Sequence, residues 1–230
     1  MKLLLFLFII STVTFTTANK YDVEAEITEK LEDLKSTVQG TISVAFITNL
    51  VKDFTSYRTS MIYSSASALG QQSQTFRNRI NNLKMSAQYA GKNIDVCLST
   101  NEPLLNKLAN DASTQLNECV IVADSEMAII EKDTNYRVDT LMNEVHKLEF
   151  QLDICANDLL CQASVTTDIE TSMLSIPQKI GVEVDQAVIL SDELKVQIKP
   201  CMDPKVAQYS LEAGAVASEI TRCVNNILSS

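Results

Sequence analysis

The sequence predicts an all-α protein, an elongated antiparallel helical bundle with coiled-coil-like seams, stapled by disulfides. Three observations predict it. Turn residues are scarce: the 230-residue chain holds five Gly and four Pro, and neither type occurs between Pro103 and Pro177. An all-β chain needs turn punctuation every ~8–12 residues, so sandwiches and barrels are excluded, as are βαβ repeats. Apolar residues recur in alternating steps of three and four, the spacing of one helical face. Six cysteines follow an apolar leader, the pattern of a chain that crosslinks after export.

The leader comes first in the chain. Lys2 supplies the charge, Leu3 to Ile10 is an unbroken apolar run, and Thr16-Thr17-Ala18 fits a small-residue cleavage site. Residues 1–18 are therefore expected to be a signal peptide cut after Ala18. Removing 18 of 230 residues leaves 212, and loss of Lys2 takes the net charge from −10 to −11. No second apolar stretch reaches the ~20 residues a membrane span needs. An acidic chain with no basic block is a poor binder of phosphate backbones, so nucleic acid is not an expected partner.

Val23, Ile27, Leu31, Leu34 and Val38 form one helical stripe, with Asp22, Glu24, Glu26, Glu29, Glu32 and Asp33 mostly on the remaining surface. Those acids lack the spacing and turn glycine of a calcium loop and are read as a solvated face. Thr41 to about Leu69 reads as a second helix, ended by a turn at Gly70. Phe76, Ile80, Leu83, Ala87, Ala90, Ile94 and Cys97 then form an unbroken coiled-coil seam.

Thr100 or Asn101 before Glu102-Pro103 is a helix start. Leu105, Leu108, Ala112, Cys119, Ala123 and Ile130 continue that helix. Val138, Leu141, Val145, Leu148, Leu152 and Cys155 are a strict heptad series. From about Pro103 to about Cys155 the pattern fits one long helix, or two with a break near Lys132-Asp133-Thr134-Asn135. Asn157-Asp158 reads as a turn and cap. Pro177 is expected to interrupt the next helix, with another from about Gln178 to Ile198 carrying Val184, Val188 and Leu194. Asp203-Pro204 is expected to open a last helix lined by Val206, Leu211, Ala215, Ile220, Cys223 and Ile227.

All six cysteines lie beyond the leader: Cys97, Cys119, Cys155, Cys161, Cys201 and Cys223. Six cysteines allow fifteen connectivities. Cys97 and Cys119 are 22 residues apart, and so are Cys201 and Cys223. Along one helix 22 residues span ~33 Å, while a bridge needs Cα atoms roughly 4.4–6.8 Å apart, so neither pair closes within an unbroken helix. Two antiparallel helices would be riveted by Cys97–Cys223 and Cys119–Cys201, leaving Cys155 and Cys161 to close across Asn157-Asp158. The other reading is that the equal spacing is coincidence and the bridges are arranged otherwise. With no CxxC and with the thiols paired, catalytic or metal use of these cysteines is not expected.

This cysteine spacing, on helices and behind a signal peptide, resembles the insect secreted family built on the TsetseEP domain. The segments CLSTNEPLLNKLANDASTQLNECV and CMDPKVAQYSLEAGAVASEITRCV carry the likeness, which covers about Cys97 to Val224. The chain then divides, with a boundary near Gly91, into the signal peptide 1–18, an N-terminal helical extension 19–92 and a six-cysteine helical domain 93–230. The resemblance implies an extracellular insect protein, in some members immune-responsive in the midgut, with no established biochemical activity and no catalytic residues.

Chemistry is otherwise sparse. His146 is the single histidine, and any Ser-His-Asp or Cys-His machine would have to use it. Beside Val145 of the seam, with Glu144 and Glu149 near, it reads as a solvated helix-surface residue. There is no HExxH, GxGxxG or GxxxxGK[ST] motif, so metal, cofactor and nucleotide sites are not expected, and the chain is not expected to be an enzyme. No N-x-[ST] sequon is present. Met61, Met85, Met127, Met142, Met173 and Met202 read as core fillers. What remains is an extracellular interaction protein whose partner is a protein or glycan. The alternative is a carrier of a lipid or other small hydrophobic ligand; a structural coiled-coil component of a matrix or secretion is a third reading.

Overall fold

A computed structural model describes residues 24–40, 44–155 and 158–230, and these are helical almost throughout, with no strand among them. In chain order the elements are α1 (24–40), α2 (Val44–Tyr89), α3 (Asp95–Leu98), α4 (Asn101–Cys155) and α5 (Leu159–Ser229). The expected signal peptide, its Ala18 cleavage site and Val23 lie outside the described residues. The chain forms two compact units. One takes residues up to Thr48 with Glu131–Ala187, and the other takes Asn49–Ile130 with Val188–Ser230. The cuts fall inside α2, α4 and α5.

In the first unit Ile27, Leu31, Leu34 and Val38 of α1 pack on the α4 heptad series Val138, Leu141, Val145 and Leu148 and on Val165, Ile169, Ile176 and Ile180 of α5. The step of three and four puts each set on one stripe, so three stripes close on a single apolar core. Ion pairs run along the outside. Arg137 meets Glu183 at 3.3 Å and Glu144 meets Lys179 at 3.4 Å, and the order of these pairs makes α4 and α5 antiparallel here.

The second unit is also a three-helix packing. Phe54 and Ile80 of α2, Leu105, Ala112, Leu116, Ala123 and Met127 of α4, and Leu194, Ile198, Met202, Tyr209, Ala213, Ala217 and Ile220 of α5 are buried. Phe76 meets Tyr209 edge-on with ring centroids 6.3 Å apart, over Gly214, where an added Cβ would lie 3.9 Å from the Phe76 ring. Arg58 reaches both carboxylate oxygens of Asp124, and Lys195 reaches Asp53 at 2.5 Å.

Several expected boundaries are overturned. Gly70 is no turn: α2 runs straight through it, because one glycine costs a helix only ~1 kcal/mol and the flanking apolar face supplies more. The helix stops instead at Tyr89. Gly91 takes φ 65°, the left-handed conformation that glycine adopts most freely. Lys92 N–H donates to the Ala87 carbonyl and Gly91 N–H to that of Gln88, the paired bonds of a Schellman cap. The seam from Phe76 therefore does not reach Cys97 on one helix: Ala90 is exposed, and Ile94 and Cys97 belong to the turn leading into α3 and to α3 itself.

Of the two readings of 103–155, one unbroken helix is present, starting at Asn101 with Pro103 in its first turn. Pro177 and Asp203-Pro204 do not end helices either, since α5 is continuous past both. An interior proline costs ~3 kcal/mol, and burial of Ile176 and Ile180 around Pro177, and of Ile198 and Met202 around Pro200, outweighs it. Near the end of α5 the buried stripe is Tyr209, Ala213, Val216, Ala217, Ile220 and Val224; Leu211 and Ala215, expected inside, are exposed.

Candidate functional site

The cysteine framework sets the geometry of the second unit. Cys97 is bridged to Cys223 and Cys119 to Cys201, with Cα separations of 5.7 and 6.0 Å. Equal separations along α5 and along the α3–α4 stretch keep the two bridges in register, and their nesting makes α4 antiparallel to α5. In the first unit Cys155 is bridged to Cys161 at 5.4 Å. There Asp158 caps α5, its Oδ1 accepting from the N–H groups of Leu160 at 3.0 Å and Cys161 at 3.2 Å. No cysteine is free.

Over the Cys119–Cys201 bridge lies a groove of about 370 Å³ between α4 and α5. Val122 and Ala123 of α4 and Leu194 and Ile198 of α5 give it an apolar floor. Glu118 and Glu126 stand on its α4 side and Lys205 on its α5 side. Val122 is followed one heptad later by Ile129, and Ile189 by Val196, and all four are more than half exposed. This groove was not foreseen. The sign available in the sequence was the heptad-spaced pair Val122 and Ile129, which lies off the stripe that fills the core; Ile189 and Val196 line a separate shallow hollow with Asp192, Glu193 and Gln197.

A second, wider hollow of about 820 Å³ surrounds the α2–α4 connection, where Lys84 and Glu102 pair at 2.5 Å. Its lining mixes Lys84, Lys92, Asp95, Ser99 and Glu102 with amides and the apolar Ala87, Ile94 and Leu98.

The other candidates take simple positions. His146 is on the α4 surface, its Nδ1 3.5 Å from Glu149 Oε2. Glu149 also holds Lys35 of α1 at 2.6 Å, and that ammonium keeps its carboxyl below the usual glutamate range while the carboxylate raises the Lys35 ammonium above its own. Met127 and Met202 are buried, Met61, Met142 and Met173 half-buried, and Met85 is exposed. Among the described residues no three His, Cys, Asp or Glu side chains are grouped to hold a metal ion, and no helix is long and apolar enough to cross a membrane.

Comparison with known proteins adds no label. No protein-family model matches the chain, and no curated protein matches it.

Proposed function

We propose that this chain is a secreted, non-enzymatic binding protein of the TsetseEP type, which engages an extracellular protein or glycan through the α4–α5 groove of the second unit. The carrying observation is the apolar couple Val122 and Ile129, one heptad apart on α4 and more than half exposed, of which Val122 lines that groove. Exposed apolar surface of this kind on a soluble domain marks a contact site. Export is supported by the leader pattern and by full pairing of six cysteines, which favours an oxidising compartment. The family reading rests on the six-cysteine spacing and the two segments quoted above.

A second reading, a carrier of a lipid or small hydrophobic molecule, is favoured by the groove's volume, which falls in the range of small-ligand sites. Native mass spectrometry of protein purified from its source separates the two. A bare polypeptide mass, together with partner crosslinks at Val122 and Ile129, supports the interaction reading. A stoichiometric lipid adduct lost in Val122→Glu makes the protein a carrier. N-terminal sequencing of the same material should begin at Asn19 or within a residue or two; a start at Met1 refutes export.

A further inference from the structure

A further pocket of the second unit shares no residue with the groove over Cys119–Cys201, so what it takes is independent of the groove's partner. It holds about 320 Å³, at the small end of ligand sites. Ser73, Phe76, Arg77, Ile80 and Asn81 reach it from α2, because steps of three and one keep them to one side of the helix. Glu102, Leu105 and Asn106, spaced alike, line it from the first turns of α4, and Tyr209 lines it from α5. Buried Ile80 and Leu105, with the Phe76–Tyr209 ring pair, make its base apolar.

Two polar groups at this pocket are underused. Tyr209 is only 3% exposed and its hydroxyl makes no hydrogen bond among the described residues, yet the oxygen is not sealed from solvent. The small part of Tyr209 that is open therefore includes the hydroxyl, and the space it meets is this pocket. A buried phenol ordinarily finds a partner, and a phenylalanine would pack against Phe76 without the cost of an idle hydroxyl. Arg77 donates from Nη2 to Asn106 Oδ1 at 3.2 Å and has no ion pair among the described residues, so most of its donors are available. Glu102, by contrast, is answered by Lys84 at 2.5 Å and offers acceptor oxygens without calling for a second cation.

These groups suit an anion and hydroxyls carried on one small molecule. A carboxylate matches the Arg77 fork and the Tyr209 hydroxyl, and hydroxyl groups match the oxygens of Glu102 and the amide of Asn81. We propose that this pocket binds a sugar acid, a pyranose bearing a carboxylate, whose apolar ring face packs on Phe76. A fatty acid has no hydroxyls for Glu102, and a neutral sugar leaves Arg77 unanswered. A free amino acid brings an ammonium where Lys84 already supplies the charge.

The test titrates the mature full-length chain with D-glucuronate, D-glucose, hexanoate and L-phenylalanine, followed by ligand-observed NMR. D-glucuronate should bind about tenfold more tightly than each of the others. Arg77→Gln should abolish that preference, and Tyr209→Phe, which deletes only the hydroxyl, should weaken D-glucuronate several-fold. Arg79→Gln makes the same charge change at an exposed position that does not line the pocket, and should leave the affinity at the parent value. Arg77 is also exposed, and Tyr209→Phe keeps the ring, so no variant should melt below the parent. Equal loss in Arg79→Gln and Arg77→Gln would mean general attraction between charges and overturns the proposal. So does an unchanged affinity in Tyr209→Phe, or failure of D-glucuronate to bind. Hexanoate or L-phenylalanine binding as tightly as D-glucuronate gives the pocket to another class of ligand and refutes a sugar acid. None of these outcomes bears on the groove over Cys119–Cys201.

Discussion

Ile169 has no solvent exposure and sits where α1, α4 and α5 close on one another in the first unit. Ile169→Ala removes its outer atoms from a packed site and should cost about 2–5 kcal/mol, read as a fall in urea midpoint at unchanged slope. Glu149 calls for a sign check. Its folded pKa lies below its unfolded value, held there by the Lys35 ammonium, so its contribution is complete above the ordinary glutamate pKa and is lost as pH falls through the folded one. Glu149 is 40% exposed, so solvent screens the pair to well under ~1 kcal/mol. Melts between pH 6 and 3 should show the parent losing slightly more midpoint than Glu149→Gln; an identical pH slope in both would show that the pair contributes nothing. At this scale the sequence was most legible where residues repeat by heptad. Val138, Leu141, Val145 and Leu148 are all buried, as the steps of three and four require. Legibility failed at Leu211, because helix phase near the end of α5 follows the buried Tyr209, Ala213 and Ala217, with Gly214 beside the Phe76 ring.

Among the elements, α2 and α5 show why breakers misled. Gly70 and Pro177 act locally, whereas a long helix is held mainly by the face it buries. Gly70 is exposed, with nothing within 4 Å of the position a Cβ would take. Gly70→Ala should therefore stabilise by about 1 kcal/mol through helix propensity alone, a rise of roughly 2–4 °C in thermal midpoint. Gly91→Ala should do the reverse by about 1–2 kcal/mol, since its φ of 65° forces a Cβ against the neighbouring carbonyl. If both alanine variants melted alike, the cap at the end of α2 would be a passive feature. The glycine that terminates a helix and the glycine that does not look the same in sequence. The apolar pattern does not separate them either, since Ile94 and Cys97 beyond Gly91 are buried just as Ile80 is beyond Gly70; what ends the helix is the left-handed turn at Gly91, closed by the Gly91 and Lys92 N–H bonds.

For the whole molecule, the two units are built from different materials. Among the described residues the core cluster of the first unit is Ile, Leu and Val with Cys155, and Ala187 is that unit's one buried alanine. The second unit buries Ala87, Ala112, Ala123, Ala213 and Ala217, which remove less apolar surface per residue, and it holds both long-range bridges. Cys97–Cys223 closes a separation of 126 residues and Cys119–Cys201 one of 82. By chain entropy each alone stabilises by about 4–5 kcal/mol, and the second adds less because the first has already shortened its loop. Cys155–Cys161 closes only six residues and contributes about 2 kcal/mol on the same relation. Reduction should therefore fall unevenly. Hydrogen exchange on the reduced full-length chain should show amides of 49–130 and 188–230 losing protection first, while those of 24–40 and 131–187 keep most of theirs. Replacing one long-range bridge by a Ser pair should lower the midpoint modestly, and replacing both should lower it much further while leaving part of the helix signal. Uniform loss of protection across both sets of residues would mean that α4 and α5 transmit unfolding along their full length. The bridges would then stabilise one cooperative body rather than the alanine-rich unit that carries them.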